Sequence, residues 1–409
     1  ELHFHSSAVD DVPPSVVQYF PDYTGEEERF DVDDIVTVVF NEPLDETTLT
    51  EEAVRIFQSS NQVATQFLHT ATESKSVISI QPEQPFGMSS NYTALLSNTI
   101  SDTTGNSLID NVSFTFTTTD DRSFDQRAID EFSTSADWKQ PGYSGSTVGI
   151  VVPECEFGYT RDVYLPATQI KRAASLRYKW DTSQDAFLLR DYLGGGAPRA
   201  VEFDTSYVLQ CYVFGDGSNN KFRFCLDEAQ GSEWPDHEVS EWFTIDWYGW
   251  RLLQWDLSDS TTVGEWISPD NKLNGTKYRV DSFQLTHDST GAVSGRVYFD
   301  DFRLIKRTQF PVDVAMNPET RPLTFKLHQN YPNPFNPITK IPFEIAKDSH
   351  VSLSVYNVIG RKIKTLVDRN VTAGYHEVLF DGTRLSSGIY IYRLDVNGQT
   401  MKKRMMLLK

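Results

Sequence analysis

Val112-Ser-Phe-Thr-Phe-Thr-Thr118 alternates large apolar and small hydroxylated side chains. In an extended backbone that spacing sends one row to a core and the other to water. The same habit returns at Val36-Thr-Val-Val-Phe40, Val77-Ile-Ser-Ile-Gln-Pro82 and Asn91-Tyr-Thr-Ala-Leu-Leu96, with turn-forming Asn, Asp, Pro, Gly and Ser between them. No long stretch repeats its apolar residues every three or four positions, so helix is expected to be scarce. A chain of 409 residues is too long for one core. The fold expected is all-β: three β-sandwich modules in tandem.

The formal net charge is −20. Nucleic acid and anionic membrane both select a basic face, so neither is an expected partner. The charge is unevenly spread: residues 1–120 carry 20 acids and 3 bases, whereas residues 322–409 carry 6 acids and 13 bases. No run of 18 apolar residues is present to span a bilayer. No basic segment leads into an apolar one at Glu1, so an exported protein would be represented here in its mature form. The cysteines are Cys155, Cys211 and Cys225. The last two are expected on the arms of a hairpin, Tyr207–Phe214 and Lys221–Asp227, either as a disulfide or as buried thiols.

Residues 1–11 form an N-terminal extension. Residues 12–120 contain Phe40-Asn-Glu-Pro-Leu-Asp45, then Tyr92-Thr with Ile100-Ser-Asp-Thr-Thr-Gly-Asn106, then Phe114-Thr-Phe-Thr-Thr118. This order resembles bacterial Ig-like domains, which implies a spacer role. The turn Asp102–Asn106 is read as self-satisfied rather than as a cation loop. Residues 121–307 form the second module. It begins with a polar linker, 121–128, and then opens at Ile129-Asp-Glu-Phe132, passes through Gly249-Trp-Arg-Leu-Leu-Gln-Trp-Asp-Leu257 and Val280-Asp-Ser-Phe-Gln-Leu285, and closes at Val297-Tyr-Phe-Asp-Asp-Phe-Arg-Leu304. These blocks resemble the jelly-roll modules appended to carbohydrate-active enzymes. A linker, 308–322, leads to residues 323–409. There Leu327-His-Gln-Asn-Tyr-Pro-Asn-Pro-Phe-Asn-Pro337, Val351-Ser-Leu-Ser-Val-Tyr-Asn-Val-Ile-Gly-Arg361, Leu385-Ser-Ser-Gly-Ile-Tyr-Ile-Tyr-Arg393 and the final Met401-Lys-Lys-Arg-Met-Met-Leu-Leu-Lys409 resemble the C-terminal type A sorting domain of type IX secretion cargo. That resemblance implies a secreted, cell-surface protein whose tail meets the type IX secretion machinery. Pro332, Pro334 and Pro337 lack the N–H a ladder needs and mark an extended lead-in. The basic last strand suits capture by strand addition.

All eight tryptophans lie in the second module: Trp138, Trp180, Trp234, Trp242, Trp247, Trp250, Trp255 and Trp266. An indole offers a flat face to the C–H face of a sugar, with neighbouring polar groups for the hydroxyls. Trp250 and Trp255 are assigned to the core. Trp234, beside Pro235 and Asp236, is the leading exposed platform, followed by Trp247 with Tyr248 and by Trp266. Arg190-Asp191-Tyr192, ahead of Gly194-Gly-Gly196, is either part of that groove or a solvated loop. The jelly-roll resemblance further implies a structural Ca²⁺ clamped by Glu131 (or Asp130) with Asp300 or Asp301; the alternative is solvated edge carboxylates.

No Glu-x-Asp-x-x-Glu, His-Glu-x-x-His, Gly-x-Ser-x-Gly or phosphate loop is present, so no catalytic residues are assigned and no enzyme is expected. The leading expectation is a non-catalytic protein that binds a polysaccharide or cell-surface glycan. Two alternatives remain open. One is a structural subunit that self-associates head to tail into an extracellular filament or surface layer, with Leu2–Val9 as a free edge strand. The other is the C-terminal accessory region of a larger glycoside hydrolase.

Overall fold

The computed structural model describes residues 10–22, 30–72, 74–119, 122–267, 271–308, 325–330, 333, 335–345, 347, 349–371, 374–383 and 385–408. The edge strand expected at Leu2–Val9, most of the 308–322 linker, and Pro332 and Pro334 lie outside the described residues. Two compact units divide after Thr308. Among the described residues the elements are strands and four short 3₁₀ turns, as the alternation requires.

The first unit holds two sandwiches. In the first, Val16–Phe20, Val36–Phe40, Ser76–Pro82 and Thr65–Ala71 form one antiparallel sheet in an order that runs first, second, fourth, third along the chain. Asn61–Val63, Val54–Gln58, Asn91–Leu96 and Val112–Thr117 form the other. Phe114 and Phe116 face the core while Ser113 and Thr115 face solvent, so the alternating stretch does what its spacing dictates. Phe116 meets Phe30 and Phe86 edge-on in that core. At the turn after Ile100, Asp102 accepts hydrogen bonds from the backbone and side chains of both Thr104 and Asn106. Burial opposes ionisation there, yet these bonds draw the carboxyl down to about 2.

The second sandwich stacks two six-stranded sheets. One contains Glu156–Thr160, Ala173–Lys179, Ser294–Thr308, Val208–Asp216 and Tyr248–Asp256, in that lateral order, with Arg122–Asp130 paired along Ser294–Thr308. The other, here the groove sheet, runs Leu189–Tyr192, Tyr278–Thr286, Lys221–Gln230, Glu233–Ser240 and Val263–Gly264, with Phe243–Thr244 also on Lys221–Gln230. Two sequence expectations change. The segment read as a linker at 121–128 is strand from Arg122 onward, because the long closing strand offers it a ladder. The hairpin joining Tyr207–Phe214 to Lys221–Asp227 does not form: the two strands belong to opposite sheets. Asn220, wholly buried between them, donates to Tyr178 Oη at 3.1 Å and to the Ala292 carbonyl at 2.8 Å, which ties the crossing in place. Cys211 and Cys225 are therefore carried by different sheets, and all three cysteines are buried free thiols.

The two sandwiches share a packed boundary. Ile35, Val39 and Val77 of the first meet Tyr212, Phe214, Trp250 and Leu252 of the second in one buried cluster. Polar groups at the boundary are matched: Thr37 Oγ1 donates to the Trp250 carbonyl at 3.0 Å, Tyr212 Oη donates to the Asp33 carbonyl at 3.0 Å, and Arg307 pairs with Asp31 at 3.0 Å.

The second unit is a smaller sandwich. Lys326–Leu327, Ile338–Ile345 and Gly374–Asp381 form one sheet; Lys362–Val371, Ser349–Asn357, Gly388–Val396 and Gln399–Leu407 form the other. Leu353, Phe380 and Tyr392 fill its core. The final strand pairs along Gly388–Val396 and alternates exposed Arg404 and Met406 with buried Met405 and Leu407.

Candidate functional site

Lys221-Phe-Arg-Phe-Cys-Leu-Asp227 alternates, with Phe222, Phe224 and Leu226 in the core. Arg223, Cys225 and Asp227 consequently take the opposite face of the groove sheet. Their cross-strand partners extend that face: Gln284 and Ser282 on one side, and Arg279 and His237 flanking Asp227. Arg190 stands opposite Gln284 on the edge strand. The loop expected at Arg190-Asp191-Tyr192 is thus a strand, with Arg190 on this outer face.

The ions on the outer face interlock. Asp281 receives Arg190 Nη2 at 2.6 Å and Arg199 Nη1 at 3.4 Å. Asp227 receives Arg199 Nη2 and Arg279 Nε, each at 2.6 Å, and His237 Nδ1 lies 3.0 Å from its other oxygen. Burial disfavours the Asp281 anion, but the Arg190 cation outweighs it and holds the carboxyl below its ordinary range. Cys225, His237 and Asp281 bring potential ligand atoms within 4.8 Å of one another. Asp281 already engages two guanidinium groups and burial pushes the Cys225 thiol well up, so this trio belongs to the ion-pair network of the face.

Three indoles border the face, each half-buried and each beside an arginine. Arg279 Cζ lies 4.2 Å from the Trp234 ring centroid, Arg223 Cζ 4.0 Å from Trp242, and Arg190 Cζ 5.5 Å from Trp266. Trp266 also lies 5.7 Å from the His237 ring, which places it across the middle of the sheet.

The other expected platform residues sit elsewhere. Trp247 is buried in the core, with its indole N–H donating to the Gly249 carbonyl at 3.1 Å. Its short connection is covered by the sheet packing of Gly215, whose backbone leaves no room for a side chain against the indole. Tyr248 packs against the boundary between the two sandwiches, with its N–H bonded to Gln18 and Lys75 above its ring. Asp236 stands opposite Glu228, one position out of step with His237, and accepts a bond from Gln230. Sequence reasoning missed Trp242 and the arginine row, although the alternation of 221–227 carried the signal.

The carboxylates expected to clamp Ca²⁺ are also placed. Asp130 accepts from Trp138 Nε1 at 2.9 Å and from the Phe132 N–H at 2.7 Å. Glu131 is exposed, and Asp301 is engaged by Arg303 at 2.5 Å. Asp300 is buried, which together with Asp301 and Glu131 pushes its carboxyl well up; its oxygens accept the N–H groups of Asp301 and Leu165. Among the described residues these carboxylates form no group of three whose oxygens lie within 4.8 Å of one another. A row of Ser76, His69 and Glu46, at 2.8 and 3.2 Å, has the order of a hydrolytic triad. Ser76 is fully buried and its Oγ accepts the Leu44 N–H, so the row holds a turn together.

Comparison with known proteins places two of the three sandwiches. Residues 10–118 match the family described as bacterial Ig-like domain. Residues 329–408 match the secretion system C-terminal sorting domain. The protein is secreted and directed to the cell surface. Both expectations from the sequence blocks are borne out, and the sorting domain implies the type IX machinery as a partner. No helix among the described residues is long and apolar enough to cross a membrane. No curated protein matches the chain. Among solved structures, it is similar to a carbohydrate-binding module of the β-sandwich superfamily (13% identity, 73% of this chain, 100% of that chain, TM-score 0.29). It is also similar to a family 11 carbohydrate-binding module from Clostridium thermocellum in complex with a β-1,3-1,4-mixed-linked tetrasaccharide (16%, 44% and 95%, 0.29), and to domains 1–6 of the surface layer protein SbsC (10%, 97% and 54%, 0.23). The two families matched are of non-catalytic kinds.

Proposed function

We propose that the protein is a secreted, non-catalytic glycan-binding protein that uses the outer face of the groove sheet. The observation that carries this reading is the row of half-buried indoles, Trp234, Trp242 and Trp266, each fixed by an arginine beside a polar floor. Sugar rings stack on such indoles while guanidinium, amide and imidazole groups bond their hydroxyls. Cation contacts immobilise the indoles before binding, which lowers the ordering cost. The Ig-like sandwich holds this module through a packed boundary, and the sorting domain delivers the chain to the surface. Affinity-gel retardation against a panel of polysaccharides tests the reading, with Trp234→Ala as the paired variant. Retardation that Trp234→Ala abolishes supports it; absence of retardation by every polysaccharide refutes it.

A further inference from the structure

Donors outnumber acceptors on the outer face. Asp281 and Asp227 between them engage Arg190, Arg199 and Arg279, and Arg223 is left over. The residue is only 3% exposed, yet among the described residues the groups it bonds or stacks on are neutral. Nε donates to Gln284 Oε1 at 2.9 Å, Nη1 donates to the Glu265 carbonyl at 3.0 Å, and Trp242 covers its flat side. Nη2 has no partner among the described residues. Burial pulls the guanidinium down to about 10, with no carboxylate acting against that pull. A buried cation ordinarily carries an anionic partner, because desolvation without one is costly.

Gln284 sharpens the point. It is wholly buried, and because its oxygen faces Arg223 its amide nitrogen must be the free end; the flipped amide would set donor against donor. That nitrogen has no hydrogen-bond partner. Nη2 of Arg223 thus makes no hydrogen bond to a described residue, and its cross-strand neighbour Gln284 keeps an enclosed, unpaired amide nitrogen behind it, both donors, beside Trp242.

We propose that Arg223, held in place by Gln284, receives an anionic substituent, a carboxylate or a sulfate, so that the glycan bound is an acidic polysaccharide. The inference rests on the glycan-binding reading above and names the class of ligand within it. With a net charge of −20, the protein as a whole repels polyanions, so their retention requires a local receiving point of this kind.

The test uses the full chain against five probes in affinity gels: polygalacturonate, its fully methyl-esterified form, dextran sulfate, dextran and a neutral β-glucan. Retention by polygalacturonate but not by its ester identifies a carboxylate ligand; retention by dextran sulfate but not by dextran identifies a sulfate. Arg223→Gln is expected to weaken that retention about tenfold or more, as loss of a charge-assisted bond predicts. Gln284→Glu supplies Arg223 with a carboxylate from within the chain. It is expected to melt no lower than the parent and to lose the polyanion, which separates occupancy of the site from damage to the fold. Equal retention of charged and uncharged probes, or undiminished polyanion retention by a folded Gln284→Glu, overturns the inference. If neutral glucan alone is retained, and Trp234→Ala abolishes that, the glycan-binding reading stands and this one falls. If no probe is retained, both fall.

Discussion

Arg303 Nη2 donates to Asp33 Oδ2 at 2.9 Å, linking the closing strand of the second sandwich to the first. The arginine side chain is 5% exposed and also bonds Asp301 and Gln210. Asp33→Ala leaves that buried cation with one carboxylate fewer. A partly exposed aspartate places the expected loss at the low end for a buried pair, about 1–3 kcal/mol. Urea denaturation checks it, and a loss below about 0.5 kcal/mol, the range of ordinary surface changes, would show that Asp301 alone suffices.

Gly249 meets the first sandwich through bare backbone. Its φ is +86°, and a Cβ there would stand 2.5 Å from Thr37 Cγ2 and 2.8 Å from Val77 Cγ1. Gly249→Ala is therefore strained both locally and across the boundary, and a loss of about 2–4 kcal/mol is expected. Calorimetry should show the two sandwiches of the first unit melting together in the parent and separately in the variant.

Asp191 is wholly buried with neither carboxylate oxygen hydrogen-bonded, and burial alone pushes its carboxyl well up. A folded-state value above the unfolded one means that the fold binds this proton more tightly. The associated stability is present below the ordinary carboxylate range and is lost as pH rises through the folded value. Asp191→Asn removes the charge. The variant is expected to exceed the parent by about 1–3 kcal/mol at neutral pH and to match it below about pH 4. Parallel denaturation series across pH test this, and a gap that does not widen with pH would contradict it.

Trp234→Ala and Trp247→Ala should part company. Truncating the buried Trp247 opens a cavity in the core, for a cost of about 3–5 kcal/mol. Trp234 is half-buried on the outer face of the sheet, so its loss is expected to leave the melting temperature nearly unchanged while removing glycan retention. Thermal melts beside affinity gels separate the two effects.

The contrast between those two residues marks how far the sequence could be read. Alternation is a local property, so strands such as Val112–Thr117 and the sandwich class follow from it directly. Where the answer depended on contacts between distant segments, local spacing misled. Trp247 lies on a short connection, which suggests exposure, but the backbone of Gly215 and the neighbouring strands enclose it. Residues 121–128 are polar, which suggests a linker, but the closing strand runs far enough to pair with the chain from Arg122 onward. Cys211 and Cys225 flank a turn-like sequence, yet Asn220 anchors a crossing between sheets there. The arginine row was within reach of the same alternation that exposed the core: once Phe222, Phe224 and Leu226 are assigned inward, Arg223 has one direction left.

The boundary cluster around Trp250 also determines how the protein can be divided. Cutting the chain between the first two sandwiches would leave Tyr212, Phe214, Trp250 and Leu252 as an open apolar patch on the module that carries the groove. Such a fragment is prone to associate through that patch, and its stickiness would be mistaken for ligand binding. The Ig-like sandwich thus serves its neighbour as a lid over otherwise adhesive surface, in addition to any distance it provides from the cell.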